Sequence, residues 1–131
     1  MSFLSKFVID GQEMNVLDYE IIFDQDSDIS DKPSSDPRGG KIRLVVELTR
    51  STMLYEWMIS SSQTKNGRII FYKRDALSKL REVEFKHGYC LNYRERFSAD
   101  SDKPLRVQIV ISAKDIVINS IPFTKNWALR T

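Results

Sequence analysis

Apolar and polar residues alternate along most of this chain. In KIRLVVELT, Lys41 to Thr49, the residues Ile42, Leu44, Val46 and Leu48 share one face, while Lys41, Arg43 and Glu47 occupy the other. LRVQIVIS repeats the pattern, with Leu105, Val107, Ile109 and Ile111 set against Arg106 and Gln108. A two-residue period puts alternate side chains on opposite sides of a strand, so both segments read as strands half-buried against a core. FLSKFVI from Phe3 and IVINSI from Ile116 read as strands as well. NVLDYEIIF, Asn15 to Phe23, and GRIIFYK, Gly67 to Lys73, carry apolar residues on both faces, so something must cover their second side. The segment from Val83 to Phe97 is long and sets Val83, Phe85, Tyr89, Leu91, Tyr93 and Phe97 on one parity.

Only MLYEWMIS has helical spacing, with Met53, Leu54, Trp57 and Met58 on one stripe behind the capping candidates Ser51 and Thr52. A helix of about nine residues is marginal alone and must be held by packing its Trp57 face. DALSKL, Asp75 to Leu80, reads as a crossing between strands. DQDSDISDKPSSDPRGG, Asp24 to Gly40, is polar and longer than the usual connection in a compact domain, which marks it as functional or disordered. Asn66-Gly67 favours a turn into the next strand, and SADSDKP, Ser98 to Pro104, reads as a hairpin-like connection. The sum is seven or so strands and one short helix. Such an antiparallel sheet exposes edges unless it curls shut, so the expected fold is mainly β: a small antiparallel β-barrel with one short α-helix and an extended loop. Strands apolar on both faces then imply that other copies cover the barrel's outside.

Composition narrows the options. At 131 residues the chain is read as one domain, residues 1–131, with the 24–40 loop inside it. Hydrophobic residues make up 41% and charged residues 29%, ordinary for a globular protein. One cysteine and one histidine exclude a disulfide framework and a four-ligand zinc site built from this chain. The amino terminus lacks the apolar run of a cleavable signal, and no stretch approaches a bilayer span. Net charge is only +2, but seven acids against one base lie between Asp18 and Asp36, and nine bases against four acids between Lys65 and Arg96. Complementary patches of this kind orient association between copies.

FKHGYC, Phe85 to Cys90, contains that histidine and that cysteine. Side chains three apart on a strand face opposite ways, so His87 and Cys90 do not meet unless a bulge at His87-Gly88 shifts the parity. Neither an orienting third group nor an activating charge is designated by the sequence. GxSxG, P-loop, HExxH and GxGxxG motifs are absent. No catalytic residue, metal or cofactor is expected.

The order and spacing of several pieces carry a resemblance. Gly67-Arg-Ile-Ile-Phe-Tyr-Lys-Arg-Asp-Ala is followed by Val83-Glu-Phe, Gly88-Tyr-Cys and Tyr93-Arg-Glu-Arg-Phe97. Around them stand Met1-Ser-Phe-Leu, Gly39-Gly40, Glu56-Trp57-Met58 and a Leu105–Lys114 strand ending Ile-Ser-Ala-Lys. The chain resembles, nearly end to end, the haemolysin-coregulated tube protein of type VI secretion systems (Hcp, or TssD), in its Bacteroidota version. That resemblance implies a small barrel assembling as a homohexamer, with rings stacked into a hollow tube. A contractile sheath expels the tube, tipped by a spike, and some family members carry small effectors in the lumen. Implied partners are therefore other copies, sheath, spike and baseplate proteins, and effectors, without nucleic acid or membrane insertion. Implied localisation is cytoplasmic during assembly, then extracellular without a signal peptide.

On this reading Asp24, Asp26, Asp28, Asp31, Lys32, Asp36 and Arg38 belong to a loop that reaches a neighbouring subunit or ring. Trp57, Phe71, Tyr72, Phe85, Tyr89 and Tyr93 are structural anchors. The alternatives are the tail-tube protein of a related phage-like contractile injection system and a barrel binding single-stranded nucleic acid through Tyr72, Tyr89 and Tyr93 amid basic residues.

Overall fold

Two residues, Asp10 and Gly11, turn β1 (Ser5–Ile9) back into β2 (Gln12–Asp24). Both have positive φ, 50° and 73°, the conformation that matches a two-residue turn to the twist of a hairpin. In the computed structural model, which describes residues 4–25, 27, 29–30, 38–74, 78–100, 102 and 105–125, five more strands and a helix follow. They are β3 (Arg38–Glu47), α1 (Met53–Ile59), β4 (Lys65–Tyr72), β5 (Lys79–Arg96), β6 (Arg106–Ile118) and β7 (Ile121–Thr124). The sheet order is β3-β2-β1-β4-β5-β6-β7, and β3 also pairs with β6. That pairing closes six antiparallel strands into a barrel and leaves β7 as a hairpin arm on β6.

The alternation read from the sequence is what fills the barrel. Ile42, Leu44 and Val46 of β3 face Val107, Ile109 and Ile111 of β6, all at most 1% exposed. Each such side chain contributes roughly 1.5–3 kcal/mol relative to an exposed one. Trp57 of α1 is fully buried and stacks on Phe85 with ring centroids 6.3 Å apart and planes 3° apart. Phe85 stacks in turn on Phe7 at 6.3 Å. Trp57 Nε1 donates to the Gly88 carbonyl at 3.1 Å, so its one polar atom is satisfied where it is buried. The helix has seven residues rather than nine. Its first turn is held by Ser51 Oγ, which accepts from Met53 N at 3.1 Å, and by Thr52 Oγ1, which donates to Glu56 at 2.7 Å.

Four local expectations change. Asn66-Gly67 makes no turn but lies within β4. A Cβ at Gly67 would sit 2.8 Å from Phe85 Cζ, so glycine is there to admit a ring, as is Gly88, where the distance to Phe85 Cδ1 would be 2.9 Å. Asn66 Oδ1 accepts from His87 N at 3.0 Å, serving the backbone where the β4–β5 register shifts. IVINSI is the end of β6, a turn at Asn119-Ser120 with φ of 45° and 80°, and the start of β7. The Asn119 side chain makes that turn useful by accepting from Glu82 N at 2.8 Å.

The single parity proposed for Val83 to Phe97 breaks at His87, whose φ is 56°. Val83 and Phe85 point into the core, then Gly88 and Cys90 do, while Tyr89 is half-buried and Leu91 exposed. Phe97 lies beyond the strand, 74% exposed. Finally, Asp24 and Arg38 pair as strand residues, so the loop between β2 and β3 is shorter than the 24–40 segment.

Candidate assembly surface

Two pairings stop short, and that creates the surface of interest. β1 pairs with β2 only as far as Asn15, so β2 from Val16 onward has β3 on one side and no strand on the other among the described residues. β4 pairs with β5 only as far as Gly88, so β5 from Tyr89 to Arg96 has β6 on one side alone. Between these margins β2, β3, β6 and β5 form a continuous four-stranded wall with both lateral edges open. Unpaired strand edges are templates for pairing with another chain.

Apolar groups accompany each edge. Beside β2, a groove of about 500 Å³ is lined by Val16, Leu17, Tyr19, Phe71, Tyr72 and Leu80, with Ser5, Asp18 and Arg81 at its margin. Tyr19 and Phe71 meet edge to face at 4.8 Å on its floor. Burial pushes the Tyr19 phenol up, and the nearby Arg81 charge opposes that. Ser5 Oγ is buried and has no hydrogen-bond partner among the described residues. Leu17 is 41% exposed and Leu80 56%. Beside β5, α1 exposes Tyr55 and Ile59, and the strand exposes Leu91. Tyr55 packs against Tyr93 at 5.9 Å. Burial and the hydrogen bond to Glu95 push the Tyr93 phenol up to about 12.

The sequence-derived residues fall into three groups. Asp26, Asp28, Asp31, Lys32 and Asp36 lie outside the described residues, as does the side chain of Arg38. Asp24 ends β2 and is exposed. Trp57 and Phe85 are central to the core, whereas Phe71 and Tyr93 pack on its margin. Tyr72 lines the groove beside β2, and Tyr89 pairs with Ser112 across β5 and β6. The two-faced GRIIFYK is partly covered within the chain: Ile69 joins the core, and Ile70, on the other side, is still only 4% exposed between Lys6 and Glu82. The open edges themselves were missed, because their extent depends on where β1 and β4 stop.

FKHGYC holds no reactive pair. Cys90 is a core residue at 7% exposure, and burial pushes its thiol up to about 11, away from the thiolate a nucleophile needs. Among the described residues no group of three or more His, Cys, Asp and Glu side chains is placed to hold a metal ion, and no helix is long and apolar enough to cross a membrane.

The model of the family described as Hemolysin coregulated protein Hcp (TssD) matches residues 1–128. The chain belongs to the Hcp (TssD) family. Its structure is similar to that of Hcp1 from Flavobacterium johnsoniae, with a TM-score of 0.88 and 36% identity over 94% of this chain and 100% of that one. The same fold recurs in chains of two anti-feeding prophage structures. One is the structure of its tube-terminating cap, with a TM-score of 0.61 and 17% identity over 88% of this chain and 87% of that one. The other is the six-fold symmetrised structure of its baseplate, with a TM-score of 0.54 and 12% identity over 91% of this chain and 93% of that one. No curated protein matches the chain significantly. Hcp proteins form a structural tube-protein family, so this chain is a type VI secretion tube subunit. The small antiparallel barrel expected from the residue pattern, and expected to be Hcp-like from the resemblance, is the fold observed.

Proposed function

We propose that six copies close into a ring and that rings stack into a hollow tube, expelled by contraction of a surrounding sheath. The observation that carries this reading is the wall with two open edges. β2, β3, β6 and β5 alternate in direction. An even number of strands means that β5 of one copy meets β2 of the next in antiparallel sense, so rotation of identical copies extends one sheet. Such an interface is head to tail, and a head-to-tail interface closes into a ring when the rotation permits. The apolar groove beside β2 then faces Leu91 and Ile59 of the neighbour, and burial of that area drives closure at about 25 cal/mol per Å² before the costs of association. A chain with this fold in the six-fold symmetrised structure of the anti-feeding prophage baseplate supports the count.

Within this reading the 24–38 segment, with Asp24, Asp26, Asp28, Asp31, Lys32, Asp36 and Arg38, makes contacts between subunits or between rings. Trp57, Phe85, Phe71, Tyr72, Tyr89 and Tyr93 hold the barrel and helix in the shape those contacts need. Sheath, spike and baseplate proteins are the further partners, and the lumen carries small effectors.

The test uses two blocked variants. Leu17→Asp with Leu80→Asp spoils the β2 margin, and Leu91→Asp with Ile59→Asp spoils the β5 margin. Neither variant should form rings alone, and an equal mixture should yield dimers and no larger species by native mass spectrometry. Rings from either variant alone would exclude the lateral junction.

A further inference from the structure

The outward face of the four-stranded wall is charged unevenly. Following the cross-strand pairs, it presents Asp18 and Glu20 on β2, Lys41, Arg43 and Glu47 on β3, Arg106 on β6, and Arg94 and Arg96 on β5. Asp18 and Glu20 are both engaged by Arg43, at 2.9 and 3.5 Å. Glu47 stands opposite Arg106 but accepts instead from Asn15 Nδ2 at 3.2 Å. Arg94, Arg96 and Arg106 form no ion pair among the described residues. Arg96 is also paired directly across the strands with Arg106. Like charges in that relation destabilise a sheet, so the fold gains nothing from them. Asp100 and Asp102, in the connection after β5, make no ion pair with them either.

Arg96 and Arg106 border a concavity of about 590 Å³, shared with Arg43 and with Gln108, the cross-strand partner of Arg94, in which Leu17 and the nearly buried Val45 supply an apolar floor. We propose that Arg94, Arg96 and Arg106 form a docking surface for a passenger protein rich in Asp and Glu. Its location rests on the ring reading: once β5 and β2 edges join, this face of the sheet becomes the wall of the bore. Guanidinium groups fork onto carboxylates with two parallel hydrogen bonds, and three without internal partners meet that need without first breaking a bond. The interleaved Asp18, Glu20 and Glu47 disfavour a continuous phosphate backbone, whose affinity comes from uninterrupted positive charge. A protein surface of mixed side chains fits both the charge and the apolar floor. The sequence hinted at this only as an excess of bases after Lys65.

The experiment titrates a labelled oligoglutamate peptide, an oligolysine peptide and an oligothymidylate with full-length protein, following anisotropy at two salt concentrations. Native mass spectrometry of the same samples reports the assembly state. Oligoglutamate should bind with a marked salt dependence and oligolysine should not. The Arg94→Gln/Arg96→Gln/Arg106→Gln variant should bind about tenfold more weakly or worse, while the corresponding triple lysine variant retains most binding. Rings that bind oligoglutamate no better than oligolysine, or equally well in the glutamine variant, overturn the proposal and leave the ring reading standing. Tighter binding of oligothymidylate overturns it in favour of a nucleic-acid surface. Normal peptide binding together with loss of ring stacking in the glutamine variant would assign the arginines to the acidic segment of a neighbouring copy instead. Absence of rings sinks the ring reading, and peptide binding by the single chain then decides the arginine cluster on its own.

Discussion

The two halves of β5 are made of similar residues and have opposite fates. From Lys79 to Phe85 the strand pairs with β4, and from Val83 it also pairs with the far end of β6, with Val83 and Phe85 buried. From Tyr89 to Arg96 it has β6 on one side only, its free margin bordered by α1, and Asn92, Arg94 and Arg96 exposed. The division is at His87 and Gly88, where φ at His87 is positive, the register shifts and β4 has its first residue, Lys65, opposite Gly88. The first half serves the barrel, and the second is left for another copy. A single strand can thus supply both folding and assembly, provided that one irregularity separates them.

The comparison can be broken most severely from the first half. Trp57→Ala removes the side chain that stacks on Phe85 and binds the Gly88 carbonyl. It should cost about 3–5 kcal/mol, measured by chemical denaturation. Loss of less than about 1 kcal/mol would mean that the helix is an appendage rather than part of the core. Gly88→Ala should cost about 1–3 kcal/mol, because its methyl group would press on the Phe85 ring and on Ile111. Asn66→Ala strips the acceptor from His87 N at the division itself and should cost about 0.5–1.5 kcal/mol. Arg96→Gln, in the second half, should have the reverse sign. Relieving its opposition to Arg106 should stabilise the single chain by about 0.2–1 kcal/mol, with the thermal midpoint as the readout. The smallest change is expected at Cys90. With its thiol raised to about 11, almost none is ionised at neutral pH, so iodoacetamide should leave the native protein unlabelled and modify it only on unfolding or at strongly alkaline pH.

How much of this was legible depends on the range over which each signal acts. The inward faces of β3 and β6 were plain because Ile42, Leu44, Val46, Val107, Ile109 and Ile111 each obey a two-residue period that a sheet imposes locally. The long β5 was visible as a strand, but its change of parity was not. That change rests on Phe85 needing space beside Gly67 and Gly88, a tertiary contact that a window of sequence does not contain. Asn66-Gly67 misled for the same reason: the dipeptide favours a turn, and the Phe85 ring and the His87 amide give both residues a different use. Asn119-Ser120 was hidden inside an apolar run whose pattern continues through the turn. The assembly surface was legible only as residues apolar on both faces of NVLDYEIIF. Which edges stay open follows from the β1–β2 pairing stopping at Lys6 and Asn15 and the β4–β5 pairing stopping at Lys65 and Gly88, and those limits are set between partners far apart in the chain.

Native mass spectrometry and electron microscopy of the purified chain across a concentration series put the whole scheme at risk in one step. Rings of six, lost when either Leu17/Leu80 or Leu91/Ile59 is replaced by aspartate, are the predicted outcome. A lone barrel that persists at high concentration, its two sheet margins and their leucines still in contact with water, would contradict it.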